Sequence, residues 1–153
     1  MRLLDIVRHG YIMATDIAAP PIVYADGVFD LFHPGHVAFL QKARAVGGRD
    51  AELLVGVITD EDARWKRPPI LKHAERVTMV RQCCEVARVV ESPPLVLTDE
   101  FLDEHNISFV VHGDDDKQEH FFAAPIARGI MHYVGYTPGV STTDIISRIR
   151  AQQ

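Results

Sequence analysis

Gly27-Val28-Phe29-Asp30-Leu31-Phe32-His33-Pro34-Gly35-His36 follows the apolar run Pro21-Ile22-Val23-Tyr24-Ala25 and precedes a segment with helical periodicity. A strand that enters a glycine turn and leaves as a helix gathers free backbone N–H groups and the positive end of a helix dipole at one point. That is a phosphate site. His33 and His36 fall on one face of the helix's first turn and lean toward the same point. Gly35 adds no side chain between them, and Pro34 suits the first helical position, where a missing N–H is no loss. A tight turn carrying two surface histidines is the competing reading, and the strand and helix around the motif weigh against it.

Working outward, the chain alternates. Strands are expected near residues 22–25, 53–58, 89–90, 109–111 and 130–134. Helices are expected over residues 34–46, 74–86, from Thr98, over 119–127 and from Thr142 onward. Leu53-Leu54-Val55-Gly56-Val57-Ile58 is continuously apolar, as strands buried on both faces are. Strands alternating with helices predict an α/β fold, a doubly wound parallel sheet of Rossmann-like type. Residues 1–20 read as an N-terminal extension closed by Pro20-Pro21, leaving 21–153 as one domain.

Composition narrows the function. A formal net charge of −5 without a basic run argues against general nucleic-acid or membrane-surface binding, so an anionic ligand must be caught by local donors. Cys83 and Cys84 are adjacent in a helical pattern and read as small core residues, not as a disulfide framework or metal site. No apolar run approaches the ~20 residues that span a bilayer, and residues 3–7 are too short and charged for a signal peptide. A cytoplasmic location is the default expectation.

Other segments carry candidate chemistry. His112-Gly113-Asp114-Asp115 ends a buried strand, where α/β sheets place ligands; Gly113 admits a base or ribose, and Asp114 can accept from an amino group or a hydroxyl. A charged turn is the plainer account of the same residues. Ser141-Thr142-Thr143-Asp144 begins a helix with a capping-box pattern and, after the Gly139 turn, offers a second anion cradle. Asp30 is placed to orient an imidazole, to hold a metal, or to make an Asx-type turn contact.

From Val23 to Ala43 the chain resembles the His-x-Gly-His nucleotidyltransferases, and more narrowly the cytidylyltransferases acting on glycerol 3-phosphate, phosphocholine and phosphoethanolamine. Thr59-Asp60-Glu61, Glu75-Arg76 and Gly139-Val140-Ser141-Thr142-Thr143-Asp144-Ile145-Ile146 extend the resemblance. It implies His33, His36 and the loop residue Lys66 as the catalytic set. It implies Gly27, Val28, Phe29, Gly35, Arg76, His112, Gly113, Asp114, Tyr136, Gly139, Ser141, Thr142 and Thr143 as the nucleotide site. CTP, Mg²⁺ held mainly by the triphosphate, and a homodimer are implied as well.

The chain also departs from this pattern. Tyr136-Thr137-Pro138-Gly139 stands where relatives carry Arg-Thr-Glu-Gly, so Arg128, Lys117 or Arg67 must compensate or the triphosphate is held more weakly. Leu95 replaces a tryptophan of the choline-type enzymes, and Lys117 roughly replaces a tyrosine. An added cation and a lost aromatic argue against a cationic head group. Asp30, Leu95 and Lys117 are therefore expected to face a small anionic acceptor. The expected reaction is CMP transfer from CTP to 2-hydroxyethylphosphonate, as in fosfomycin-type antibiotic biosynthesis, in a domain fused to a further catalytic domain. Glycerol 3-phosphate, phosphoethanolamine or phosphocholine as acceptor, and a catalytically impaired nucleotide-binding module, are the alternatives.

Overall fold

In a computed structural model, which describes residues 19–64, 67–115 and 117–153, five parallel strands form one sheet. They are β1 (Ile22–Gly27), β2 (Glu52–Val57), β3 (Arg88–Val90), β4 (Ile107–Gly113) and β5 (Met131–Val134), in the order β3-β2-β1-β4-β5. Between them run α1 (Pro34–Val46), α2 (Asp60–Ala63), α3 (His73–Arg81), α4 (Asp99–Glu104) and α5 (Ala123–Ala127), and α6 (Thr142–Arg150) closes the chain. This is the doubly wound parallel sheet expected from the alternation. Most of the expected extension, residues 1–18, lies outside the described residues, as does Lys66.

Alternation along β1 divides the core. Val23 and Ala25 face α1 and α3 with Leu53, Val55, Val57, Leu40, Val77 and Val80. Tyr24 faces the other way, with Leu54, Phe101, Leu102, Val110 and Phe122 around α4 and α5. The strands buried on both faces are therefore the continuous apolar runs of the sequence. The order reverses at β1, so the crevice beyond the C-terminal ends of β1 and β4 is the topological switch point. Among the described residues, no helix is long and apolar enough to cross a membrane.

Two helices differ from expectation. The helix expected to reach Val86 ends at Arg81, because the amides of Gln82 and Cys83 turn back to Met79 and Val80 in three-residue bonds. Cys84 is consequently exposed, and of the pair only Cys83 packs against the core. The helix expected over residues 119–127 is two pieces, a 3₁₀ turn (Glu119–Phe121) and α5, with Phe122 non-helical between them (φ −114°, ψ 22°). Pro125 supplies no N–H to bridge the break.

Candidate active site

A cavity of about 300 Å³ opens at the switch point. Its floor is the end of β1 (Asp26, Gly27), and the β1–α1 turn gives one side. The facing side is His112 and Gly113 at the end of β4, with Gly135, Tyr136 and Thr137 after β5.

The β1–α1 turn is tightly wound. Phe29 (φ 53°) and Leu31 (φ 48°) both hold left-handed backbone, a costly conformation for side chains of that size. The Phe29 ring, 3% exposed, folds back over Gly27, where an added Cβ would lie 3.1 Å from it. His33 then caps α1: its Nδ1 accepts from the Gly35 amide (3.1 Å), while Nδ1 of His36 accepts from the His33 amide (3.3 Å). The two reciprocal bonds form a capping box built from imidazoles in place of the usual hydroxyl and carboxylate. With Nδ1 the acceptor in both rings, the proton of each neutral imidazole sits on Nε2.

The rings stack at 3.8 Å between centroids, and Phe29 and Phe32 enclose the inner one at 5.4 and 5.5 Å from His36. Burial, then the neighbouring His33, push the His36 pKa down to about 3, against a smaller opposing pull from Asp30. Burial also lowers His33, with Asp144 opposing. Both imidazoles are therefore neutral N–H donors at neutral pH. Gly35 is required for a further reason: a Cβ there would meet the Val140 carbonyl at 2.7 Å and the His33 ring at 2.8 Å. The helix N-terminus and the segment leading into α6 touch at this glycine.

The start of α6 completes that side. Ser141 Oγ accepts from the Asp144 amide (3.1 Å), and the Asp144 carboxylate accepts from the Ser141 amide and hydroxyl (2.9 and 2.7 Å). The capping box read from the sequence is present, and the Ser141 bonds hold the Asp144 carboxyl below its ordinary range. Thr142 Oγ1 donates to the Asp30 carbonyl (3.1 Å) and lies 3.5 Å from His33 Nε2. Thus the N-termini of α1 and α6 converge on one space.

Of the candidates read from the sequence, Gly27, Val28, Phe29, His33, Gly35, His36, Leu95, His112, Gly113, Tyr136 and Ser141 line this one cavity. Several candidates lie elsewhere. Arg76 is fully buried and does not face the cavity. Its guanidinium donates to the carbonyls of Val28 and Ile58 and to the Asp60 carboxylate (2.8 Å for the last two). Val28 and Ile58 both line the cavity, so Arg76 fixes its floor from behind.

The Asp30 carboxylate is likewise used within the protein. It accepts from the amides of Ile70 and Leu71 (2.9 Å each) and pairs with Arg67 at 3.7 Å. It neither orients an imidazole through its side chain nor stands free for a metal or an acceptor. Asp114 holds the Tyr136 amide (3.1 Å), and its neighbour Asp115 lines the cavity in its place. Lys117 places its ammonium 5.1 Å from the Tyr133 ring centroid and is not part of the cavity wall. Gly139 (φ +123°) and Thr143 shape the approach to α6 without lining the cavity.

Arg128 pairs with Asp99 and Asp103 on α4, and Arg67 with Asp30. Neither lines the cavity.

The sequence reading passed over Asp26. This carboxylate is 8% exposed, lines the cavity, and accepts from the Tyr24 hydroxyl (3.3 Å). Burial raises its pKa to about 6, against the opposing influence of His112 and the Tyr24 bond. An acid inside a strand that is otherwise apolar and buried is itself the available signal.

A cleft at a switch point, with two helix N-termini and paired imidazole donors, marks an α/β protein whose site is suited to an anionic ligand. Residues 24–148 match the Cytidylyltransferase-like family, and the chain belongs to it. It is 40% identical to the ethanolamine-phosphate cytidylyltransferase of Dictyostelium discoideum over 90% of its own length, and 40% identical to human choline-phosphate cytidylyltransferase A over 88%. It spans about two fifths of the length of these relatives, 39% and 38% respectively. The lipopolysaccharide core biosynthesis protein from Thermoplasma volcanium GSS1 shares the fold, with a TM-score of 0.62 and 26% identity over 78% of this chain and 98% of that one.

Proposed function

We propose that the protein transfers CMP from CTP to a phosphate oxygen of a small acceptor and releases pyrophosphate. The observation that carries this reading is the imidazole pair, locked by backbone bonds to Nδ1 so that two neutral Nε2–H donors stand at the N-terminus of α1. An acceptor oxyanion attacks the α-phosphorus, the bond to the bridging oxygen breaks, and pyrophosphate carries away the electron pair. The acceptor is already anionic, so no general base is needed. His33 and His36 donate to the charge that grows on the phosphoryl oxygens, and the α6 N-terminus takes the leaving phosphates. By resemblance, Lys66 reaches the triphosphate from its loop.

Magnesium belongs to this scheme as the Mg–CTP substrate. Among the described residues, no group of three or more His, Cys, Asp or Glu side chains is arranged to hold a metal, and Asp30 is occupied by backbone amides.

For the acceptor, the similarity to ethanolamine-phosphate and choline-phosphate cytidylyltransferases favours an amino-alcohol phosphate over 2-hydroxyethylphosphonate. Asp26 supports the same choice, since a buried carboxylate in the cavity floor pairs best with an ammonium. The case for an amine-free acceptor loses Lys117, whose ammonium lies over Tyr133. Leu95 remains in the wall and offers no π face, which disfavours a quaternary ammonium against a primary one. Phosphoethanolamine is therefore the acceptor we propose.

The second reading keeps 2-hydroxyethylphosphonate, favoured by the aliphatic Leu95 wall, with its hydroxyl donating to Asp26. Pyrophosphate release with each of four NTPs against phosphoethanolamine, phosphocholine, glycerol 3-phosphate and 2-hydroxyethylphosphonate decides among them. Turnover with CTP and highest kcat/KM for phosphoethanolamine is the expected result. Preference for the phosphonate would select the second reading, and no release with CTP would overturn both.

A further inference from the structure

The wall opposite the imidazoles is a loop, residues 135–139, that joins β5 to the segment entering α6. Gly135, Tyr136 and Thr137 line the cavity from it. Among the described residues, side-chain bonds reach its cavity-lining residues from two places. One is the Asp114 carboxylate on the Tyr136 amide. The other is Lys42 of α1, whose Nζ donates to the Gly135 carbonyl and to Thr137 Oγ1, both at 2.8 Å.

Lys42 lies on the helical face that carries the site. Gly35, Phe39 and Lys42 follow one another at helical spacing, and the first two line the cavity. The helix whose N-terminus presents His33 and His36 thus also grips the facing loop two turns further on. A lysine has three donors on a flexible stem, so two bonds from one ammonium to one loop fix both the loop's position and its distance from α1.

We propose that Lys42 is a positioning residue for the nucleotide site: it holds the Gly135–Thr137 wall at the spacing from the imidazoles that a nucleotide requires. The inference rests on the nucleotide reading above. Lys42 touches no reacting atom; it acts through the loop. Its loss costs the ordering of that wall, which is felt when the nucleotide binds. The donors on His33 and His36 are untouched, so the chemical step is spared.

The test compares Lys42→Met, Lys42→Arg and Thr137→Val in the full chain. Hydrogen exchange of the residue 135–137 amides reads the latch without any nucleotide, and steady-state kinetics with Mg–CTP reads its consequence. In Lys42→Met, faster exchange at those amides and a KM for CTP raised by about fivefold, with kcat within about twofold, are expected. A guanidinium can donate to both acceptors, so Lys42→Arg should recover most of the loss.

Thr137→Val removes one of the two bonds and should have a smaller effect. Added to Lys42→Met, it should change nothing further. Unchanged exchange in folded Lys42→Met overturns the proposal, as does a KM at the wild-type value or an Arg variant as impaired as Met. If exchange quickens while the wild-type protein turns over no CTP, the nucleotide reading fails and the latch stands.

Discussion

The side-chain bonds that orient the two imidazoles join residues two and three positions apart, His33 to Gly35 and His33 to His36. Those in the facing wall join residues 22 to 95 positions apart, Asp114 to Tyr136 and Lys42 to Gly135 and Thr137. The first region is a local device. Its cap and imidazole orientation come from bonds within ten consecutive residues, and long-range bonds from Arg76 to the Val28 carbonyl and from the Ile70 and Leu71 amides to Asp30 brace the turn beneath them. The second is assembled by the fold, and its side chains have meaning only once β4, β5 and α1 stand side by side. Chemistry common to many substrates suits the local device, whereas selectivity can be tuned in the assembled wall without disturbing it.

The largest effect should come from breaking the local device. His33→Ala and His36→Ala each remove a donor aimed at charge that develops in the transition state. A loss of kcat of roughly 10²-fold or more is expected for each, with a smaller change in KM for CTP. His36→Ala also empties the space between Phe29 and Phe32, so its thermal unfolding midpoint should fall while that of His33→Ala stays closer to wild type. Turnover near wild type in either variant would remove the imidazoles from the mechanism.

This contrast also explains what could be read from the chain alone. The alternation of strands and helices and the placement of His33, His36 and Ser141 follow from apolar runs, glycine turns and caps, which are short-range signals. Arg76 could not be placed in this way. An arginine beside a glutamate at a helix start has the pattern of a surface or ligand-binding residue, yet burial against three partners from β1 and the β2–α2 junction makes it internal. Asp30 looked available for the same reason, until the Ile70 and Leu71 amides arrive from 40 and 41 residues away. Asp26 and Lys42 carried no motif, and their roles appear only when the neighbouring strands and loop are in place.

Arg76 joins the two regions energetically, because it braces the local turn through a long-range contact. Removing its side chain leaves the Val28 and Ile58 carbonyls unpaired in the interior. Arg76→Met should therefore destabilise the protein by about 4 kcal/mol in denaturant titration and lower kcat as the turn loosens. Asp60, the ionic partner, has a side chain 45% exposed to solvent. Asp60→Asn should consequently cost no more than about 1 kcal/mol. Equal losses in the two variants would mean that the ion pair, not the carbonyl brace, supports the site.

The last effect belongs to the floor that both regions share, and it is read through pH. Burial raises the Asp26 pKa from 3.8 to about 6, so its carboxyl holds a proton more tightly in the folded chain than in the unfolded one. The stability it contributes is full below pH 3.8 and is lost as pH rises through 6. At 1.36 kcal/mol per unit the loss is about 3 kcal/mol at most, and water in the cavity reduces it. His36 runs the opposite way: its pKa falls to about 3 on folding, so its contribution is full above pH 6.5 and is lost as pH falls toward 3. Wild-type stability should therefore show two opposed trends that partly cancel between pH 4 and 6.

Asp26→Asn separates them. Its stability relative to wild type should rise by up to about 3 kcal/mol between pH 4 and 6.5 and then level off, because only the wild type carries the buried charge. A pH-independent difference would mean that Asp26 titrates normally and that the floor of the cavity is wet. The floor would then lose the low-dielectric setting that makes a carboxylate selective for an ammonium. The choice of acceptor would pass to Leu95 and the 135–137 wall alone.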